Sequence, residues 1–487
     1  MFEKLWSRPG KSKDPFAPGP TGSQRFARIA IVVSVVLLTI RLGWGCAAAQ
    51  SLEGALEKTA QAGLPLRMTA VELPQVAPDE DAWPLLAELL RLSAERGVGM
   101  APALARQGPL SAADQARLEQ GRADEELLKN WQPGEPLEAT WKQRMAERLA
   151  ANADLLRLLA QAAQRPSIRW RVTEDPARPL EIDPLPLMTV ARLTVAKAAI
   201  ALDEGRPAEA LEAVGVVFRT GLHIRQAPIV EMHPAEAGLL LDATAVLQKA
   251  LPRLEPAPLA RQALDRAMQD GPVAPTLRTA TLFTQAWLHA SYLAAVEGRQ
   301  GVAQAIKIWA FRPYIDSSHA KALALLREVV PMIEGPYAQF IAPLEQRAAR
   351  TGGGATGQWL GAIMQRVLGA AHSAAIARTL RAQTQIALAL RTWQAEHGQL
   401  PESLDLLVGP GLPALPADPM TGGPFGYIRD GSAPRLYSAG IDRQDNQGTW
   451  DLSADPAGQK GHDLCFFLTG LPDQRAATTQ PATAPAQ

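Results

Sequence analysis

Residues 187–226 read LMTVARLTVAKAAIALDEGRPAEALEAVGVVFRTGLHIRQ, and their pattern decides the fold class. Leu193 and Ile200 lie two turns apart on one helix face. Leu211, Val214, Phe218 and Leu222 form a second stripe at spacings of three, four and four residues. Between the stripes, Asp203-Glu204-Gly205-Arg206-Pro207 stops one helix and opens the next. Gly tolerates the left-handed end of a helix, and Pro needs no N–H partner in a first turn. The segment predicts a helical hairpin.

The same Ala/Leu-rich pattern extends both ways. Upstream, Trp83, Leu86, Leu89, Leu90 and Leu92 have helical spacing, and residues 140–164 read as one long helix ending at Pro166. Ser167-Ile168-Arg169-Trp170-Arg171-Val172 alternates with period two, which predicts a short half-buried strand before a Pro-rich connector. Downstream, helices are expected over 234–251, 257–270, 276–297, 302–310, 318–349 and 358–397. The chain is therefore expected to be mainly α, with an α-helical body over 50–350 and a Gly-rich linker over 351–357. The hairpin resembles one tetratricopeptide-type unit through Gly205-Arg206-Pro207 and the Ala-Glu-Ala after it. No second copy recurs at a fixed period, so a repeat array is not predicted.

The N-terminus reads as an address. Residues 1–25 are polar and Pro/Gly-rich and are expected to be a disordered cytoplasmic segment. Ile29–Ile40 is apolar, spans about 18 Å, and is followed by Arg41; counting on to Ala49 gives about 31 Å, enough for a bilayer if Arg41 snorkels. Residues 26–49 are thus expected to be a transmembrane signal anchor, a signal peptide cleaved after Ala47-Ala48-Ala49, or a lipoprotein signal ending at Cys46. Lys4, Arg8, Lys11, Lys13, Arg25 and Arg28 precede the run, while Glu53, Glu57, Glu72, Asp79, Glu80 and Asp81 dominate after it. The positive-inside rule then predicts a single-pass inner-membrane protein with a periplasmic bulk.

After the long helix the composition changes. Glu396-His397-Gly398, Leu400-Pro401, Asp418-Pro419, Gly426-Tyr427, Leu436-Tyr437-Ser438-Ala439-Gly440-Ile441-Asp442 and Asp463-Leu464 follow in order. Strands are expected over 425–430, 435–440 and 463–468. This succession resembles the C-terminal half of the major pseudopilin of type II secretion systems. The resemblance implies a small α+β module with a short antiparallel sheet over 358–470, then a disordered tail over 471–487. It also implies a calcium site at Asp442, Asp445, Asn446 and Asp463, the hard oxygen donors near the last strands. The chain departs from that family in having no prepilin peptidase site and no apolar helix directly ahead of the module. The larger chain is also similar to a set of membrane-anchored bacterial proteins through Asp81-Ala82-Trp83-Pro84-Leu85, Arg165-Pro166 with Ile168–Val172, and Glu204–Ala210; this likeness implies no particular activity.

Chemistry is sparse. The 487 residues balance 49 basic against 49 acidic side chains, which excludes a general nucleic-acid binder. Two cysteines exclude a disulfide framework. There is no His-Glu-x-x-His and no Gly-x-Ser-x-Gly, and Thr351–Gly357 lacks the Gly-Lys-Ser/Thr of a phosphate loop. His233 and Glu236 are read as polar residues at a helix start, Glu174-Asp175 and Asp203-Glu204 as solvated turns, Cys465 as a core cysteine, and the aromatics Trp287, His289, Tyr292, Trp309, Phe311 and Tyr314 as helix packing. The expectation is a noncatalytic membrane-anchored envelope protein with envelope proteins as partners, scaffold-like and secretion-associated. An extracytoplasmic hydrolase and an apolar-ligand carrier are the alternatives. Self-association is left open.

Overall fold

A computed structural model describes residues 22–73, 75–98, scattered positions within 111–131, 136–181, 184–253, Leu264, Met268, 277–297, 302–333, 335–351, 354–409, 412–429, 433–449 and 463–469. The expected tail 471–487, most of 257–270 and residues 1–21 of the N-terminal segment lie outside the described residues. The chain divides into two compact units: Met1–Leu64 with Ser291–Arg327, and Pro65–Ala290 with Glu328–Gln487.

In the first unit, α1 runs Gly22–Gln61, longer at both ends than the expected 26–49. Residues 22–25, expected to be disordered, are helical because adding a turn to a formed helix is cheap compared with nucleating one. Phe26, Ile29, Leu37 and Ile40 are 75%, 62%, 61% and 60% exposed. A helix of a water-soluble core hides an apolar stripe; this one displays apolar residues and is long and apolar enough to cross a membrane. The unit also takes the end of α8 (Leu277–Glu297) and most of α9 (Val302–Met332). There the Tyr292 hydroxyl donates to Asp316 Oδ1 at 2.9 Å, Arg312 Nε donates to the same oxygen at 2.7 Å, and Tyr292 stacks on His319 at 4.4 Å. The expected helix break after residue 310 is absent. α9 continues through Pro313, and the chain turns instead near Gly335-Pro336 before α10 (Tyr337–Ala349).

In the second unit the hairpin forms as read: α5 is Leu185–Asp203 and α6 is Pro207–Arg225, with Gly205 at φ +73°. Ahead of it stand α2 (Trp83–Glu95), α3 (Ala139–Ala151) and α4 (Ala153–Ala162). The helix expected over 140–164 is therefore two, parted at Asn152 (φ −117°), whose side chain bonds back to the Arg148 carbonyl. α7 (Met232–Ala250) packs on α5, α6 and the last long helix, α11 (Gly354–His397). Leu202, Val217, Phe218, Leu222, Leu240, Leu247, Val367 and Leu390 are buried at this junction. Burying each side chain of this size contributes about 1.5–3 kcal/mol. Gly354–Gly357, expected in the linker, form the first turn of α11; Gly357 is buried there.

Gly398 (φ +76°) ends α11. After Pro401 the chain makes a 3-10 turn, Leu404–Leu407. Then come β1 (Gly426–Ile428), β2 (Arg435–Ser438) and β3 (Leu464–Phe467) in one antiparallel sheet, order β1-β2-β3. Gly426 faces Tyr437, and a Cβ there would overlap the Tyr437 ring, which would have to move for any other residue. Leu468 N–H bonds back to Pro434 O at 2.9 Å, so the alternate N–H, on Phe467, points outward; Gln248 Oε1 accepts it at 2.8 Å. Gln383 donates to the Leu464 carbonyl at 2.7 Å. β3 is thus tied to α7 and α11 rather than open to an added strand.

Candidate functional site

The segments around residues 81–85 and 167–172 meet. Asp81 Oδ1 accepts the Trp83 N–H at 2.9 Å and the Arg169 N–H at 3.0 Å, opening α2 and pinning the extended chain with one carboxylate. The Ala82 N–H donates to Ser167 O at 2.9 Å. Alternation holds, with Ile168 and Trp170 buried and Arg169 and Arg171 exposed. The expected strand does not form: only isolated bridges, Asp81 with Ser167 and Val172 with Leu180, are made. Side chains replace the missing ladder. Gln226 Oε1 accepts the Ile168 N–H at 2.7 Å, and Trp170 Nε1 donates to the His223 carbonyl at 2.8 Å. Trp83 and Trp170 meet edge to face at 5.7 Å, and the Arg171 guanidinium lies over Trp83 at 5.7 Å.

This framework walls an open cleft of about 880 Å³, whose polar lining includes Thr69, Glu72, Asp81, Arg169, Arg171 and Glu181. Trp83 and Trp170 line it and are almost wholly buried, 4% and 2% exposed. At one end Glu174 accepts the Thr69 N–H at 3.0 Å and the Thr69 hydroxyl. Burial pushes the Glu174 carboxyl up, but the Thr69 bonds and the charge of Arg67 outweigh it, so it stays below its ordinary value. The lining holds no cysteine, serine or histidine. Its mixture of cations and carboxylates suits a polar partner rather than an apolar one.

A second concentration of charge is internal. Glu236 is wholly buried on α7; Arg381 of α11 donates to its Oε1, and Arg225 Nε of α6 stands 3.9 Å from it. His233, one turn before Glu236, is 2% exposed rather than a surface residue at a helix start. Neither of its ring nitrogens meets a hydrogen-bond partner among the described residues. Burial pushes its imidazole down to about 4, against the opposing pull of Glu236. His223, with Nε2 at 3.0 Å from Arg165 O, is pushed down to about 3 by burial. Both are neutral at neutral pH and sealed from solvent, so neither serves as a proton shuttle.

Asp442, Asp445, Asn446 and Asp463 are brought into one turn system. Asp463 accepts the Asn446 N–H at 3.2 Å and the Gly448 N–H at 2.7 Å. Asp442 accepts the Gln444 N–H at 3.1 Å, and Asp445 the Gln447 N–H at 2.7 Å. Burial, then the charges of Asp445 and Asp442, pushes the Asp463 carboxyl up. The carboxylates shape tight turns, with Arg443 at φ 60° and Gln447 at φ 57°. No group of three or more His, Cys, Asp or Glu side chains is arranged to hold a metal among the described residues. As placed, each of the three carboxylates is engaged by backbone N–H groups of its own turn system. Cys465 is half-buried, and burial pushes its thiol up to about 12. Asp203 is no free turn residue: it accepts the Leu137 N–H at 2.9 Å and Lys142 Nζ at 2.8 Å. Trp287 donates to the Pro176 carbonyl at 2.8 Å in the second unit, whereas Tyr292, Trp309, Phe311 and Tyr314 belong to the first. The cleft was not singled out in the sequence, although both segments that build it were.

No family model matches the chain, and neither a curated protein nor a solved structure is significantly similar to it.

Proposed function

We propose that this is a noncatalytic, membrane-anchored envelope protein that docks other envelope proteins. α1 would cross the membrane with its N-terminus in the cytoplasm, and the second unit would work on the far side. The observation that carries the reading is the exposed apolar surface of α1. The cleft beside Arg169 and Arg171 offers polar, charged docking. A pseudopilin-like reading of the C-terminal module is supported by its order of parts: Gly398 ending a long helix, the Asp418-Pro419 turn, and three antiparallel strands. Such a module would place the protein among secretion-associated scaffolds.

The test is in-cell photo-crosslinking of the full chain with the probe at position 171, followed by mass spectrometry. One envelope protein captured reproducibly, and lost when Arg169→Glu replaces one of the cleft's two cations with a carboxylate, is the expected result. Capture that is unchanged by Arg169→Glu, or no reproducible capture, overturns the docking reading. Alkaline extraction of membranes tests the anchor: the full chain should stay in the pellet.

A further inference from the structure

Arg41 interrupts the apolar run of α1, 13 residues beyond Arg28 and about 20 Å along the helix. A cation at such a depth needs a partner. The Thr39 hydroxyl is already satisfied by the Val35 carbonyl at 2.8 Å. Arg41 finds its partner on α9, within the same compact unit. Its guanidinium lies 5.0 Å from the Trp309 ring, and its Nη2 donates to the Trp309 backbone carbonyl.

That carbonyl is available for a covalent reason. In a helix, residue 309 would accept from the N–H of residue 313, and residue 313 is Pro, which has none. Pro313 thus frees one carbonyl within α9, and Arg41 takes it. Gly45, one turn beyond Arg41, leaves room for that side chain: a Cβ there would come within 2.8 Å of Arg41 Nη1, while Pro313 Cγ, at 3.7 Å, would be in ordinary contact. Trp309 and Phe311 flank the junction and are 55% and 62% exposed. Trp309, held against Arg41, brings this exposure to α1 where Ile40 and Leu42, the neighbours of Arg41, are themselves 60% and 54% exposed. An exposed Trp and Phe beside a partnered Arg are the residue types of a membrane interface.

We propose that α9 enters the lipid around Trp309 and Phe311, in the leaflet farther from the N-terminus. The protein then holds its bilayer by two elements, a spanning helix and an interfacial one clasped to it through Arg41. The occupant of this surface is lipid because it meets the lipid-facing helix α1 at Arg41. The inference rests on the reading of α1 as a membrane span.

The test uses the full chain with Cys46→Ser and Cys465→Ser, and a single cysteine at Phe311→Cys carrying an environment-sensitive fluorophore. It is reconstituted in phosphatidylcholine–phosphatidylglycerol vesicles. Val36→Cys reports the span, and Glu402→Cys reports water. The label at 311 should lose most of its emission to nitroxide-bearing lipids and little to aqueous iodide, as the label at 36 does. If 36 answers to lipid and 311 answers to iodide like 402, the inference fails and the span stands. If 311 is shielded from both quenchers, protein covers it and the inference fails. If 36 itself answers to iodide, the anchor reading fails and carries this inference down with it.

Discussion

Single side chains hold much of this fold's specificity. Asp418 is 1% exposed and accepts the Met420 N–H at 2.9 Å and the Ser438 hydroxyl at 2.8 Å, so the Asp-Pro turn and the Tyr-Ser strand end are one bonded unit. Asp418→Ala would leave both donors without an acceptor and should cost about 3 kcal/mol in a denaturant titration. Gly426→Ala should cost about 1–3 kcal/mol, because the Tyr437 ring must move. His233 and His223 set an acid limit. Their folded values lie below the ordinary 6.5, so the unfolded chain binds more protons as pH falls below 6.5. Stability should drop between pH 6.5 and about 4 as His233 resists protonation, and on towards 3 for His223. The His233 share is on the order of 3 kcal/mol. Urea midpoints measured from pH 7 to 4 should fall less steeply in His233→Leu.

At the scale of elements, helices were legible and their ends less so. The stripes of α5 and α6 and the Gly205-Pro207 break needed only local rules. The break expected after residue 310 is absent although α9 holds Pro313, because a helix can carry a Pro when another group bonds the carbonyl it frees, and that group, Arg41, is far away in sequence. Alternation at 167–172 announced which residues would be buried but not what would bond the backbone. Asp81 and Gln226 do that work, accepting the Arg169 and Ile168 N–H groups in place of a neighbouring strand. Asp81→Ala removes acceptors from two backbone N–H groups and should cost about 1–2 kcal/mol. It should also raise hydrogen exchange at Arg169 and Trp83 while leaving α11 protected.

For the whole molecule, the division into two units changes how the N-terminal helix is understood. α1 is not an appendage alone; it shares a unit with Ser291–Arg327. Deleting residues 1–49 removes Arg41 and Gly45 from α9, and hydrogen exchange across 309–320 should then quicken. The chain's own pattern determined what is local or additive: helical class, the apolar stretch at the N-terminus, the hairpin turn, the strand positions near the C-terminus, and the want of a nucleophile motif. The calcium ligands were named from resemblance, and their carboxylates proved to be engaged by backbone N–H groups. Tertiary structure alone decided that two separated segments enclose a cleft, that Glu236 and His233 are interior, and that Arg41 bonds Trp309. These depend on which surfaces meet, and a periodic pattern specifies a buried face without naming the face that covers it.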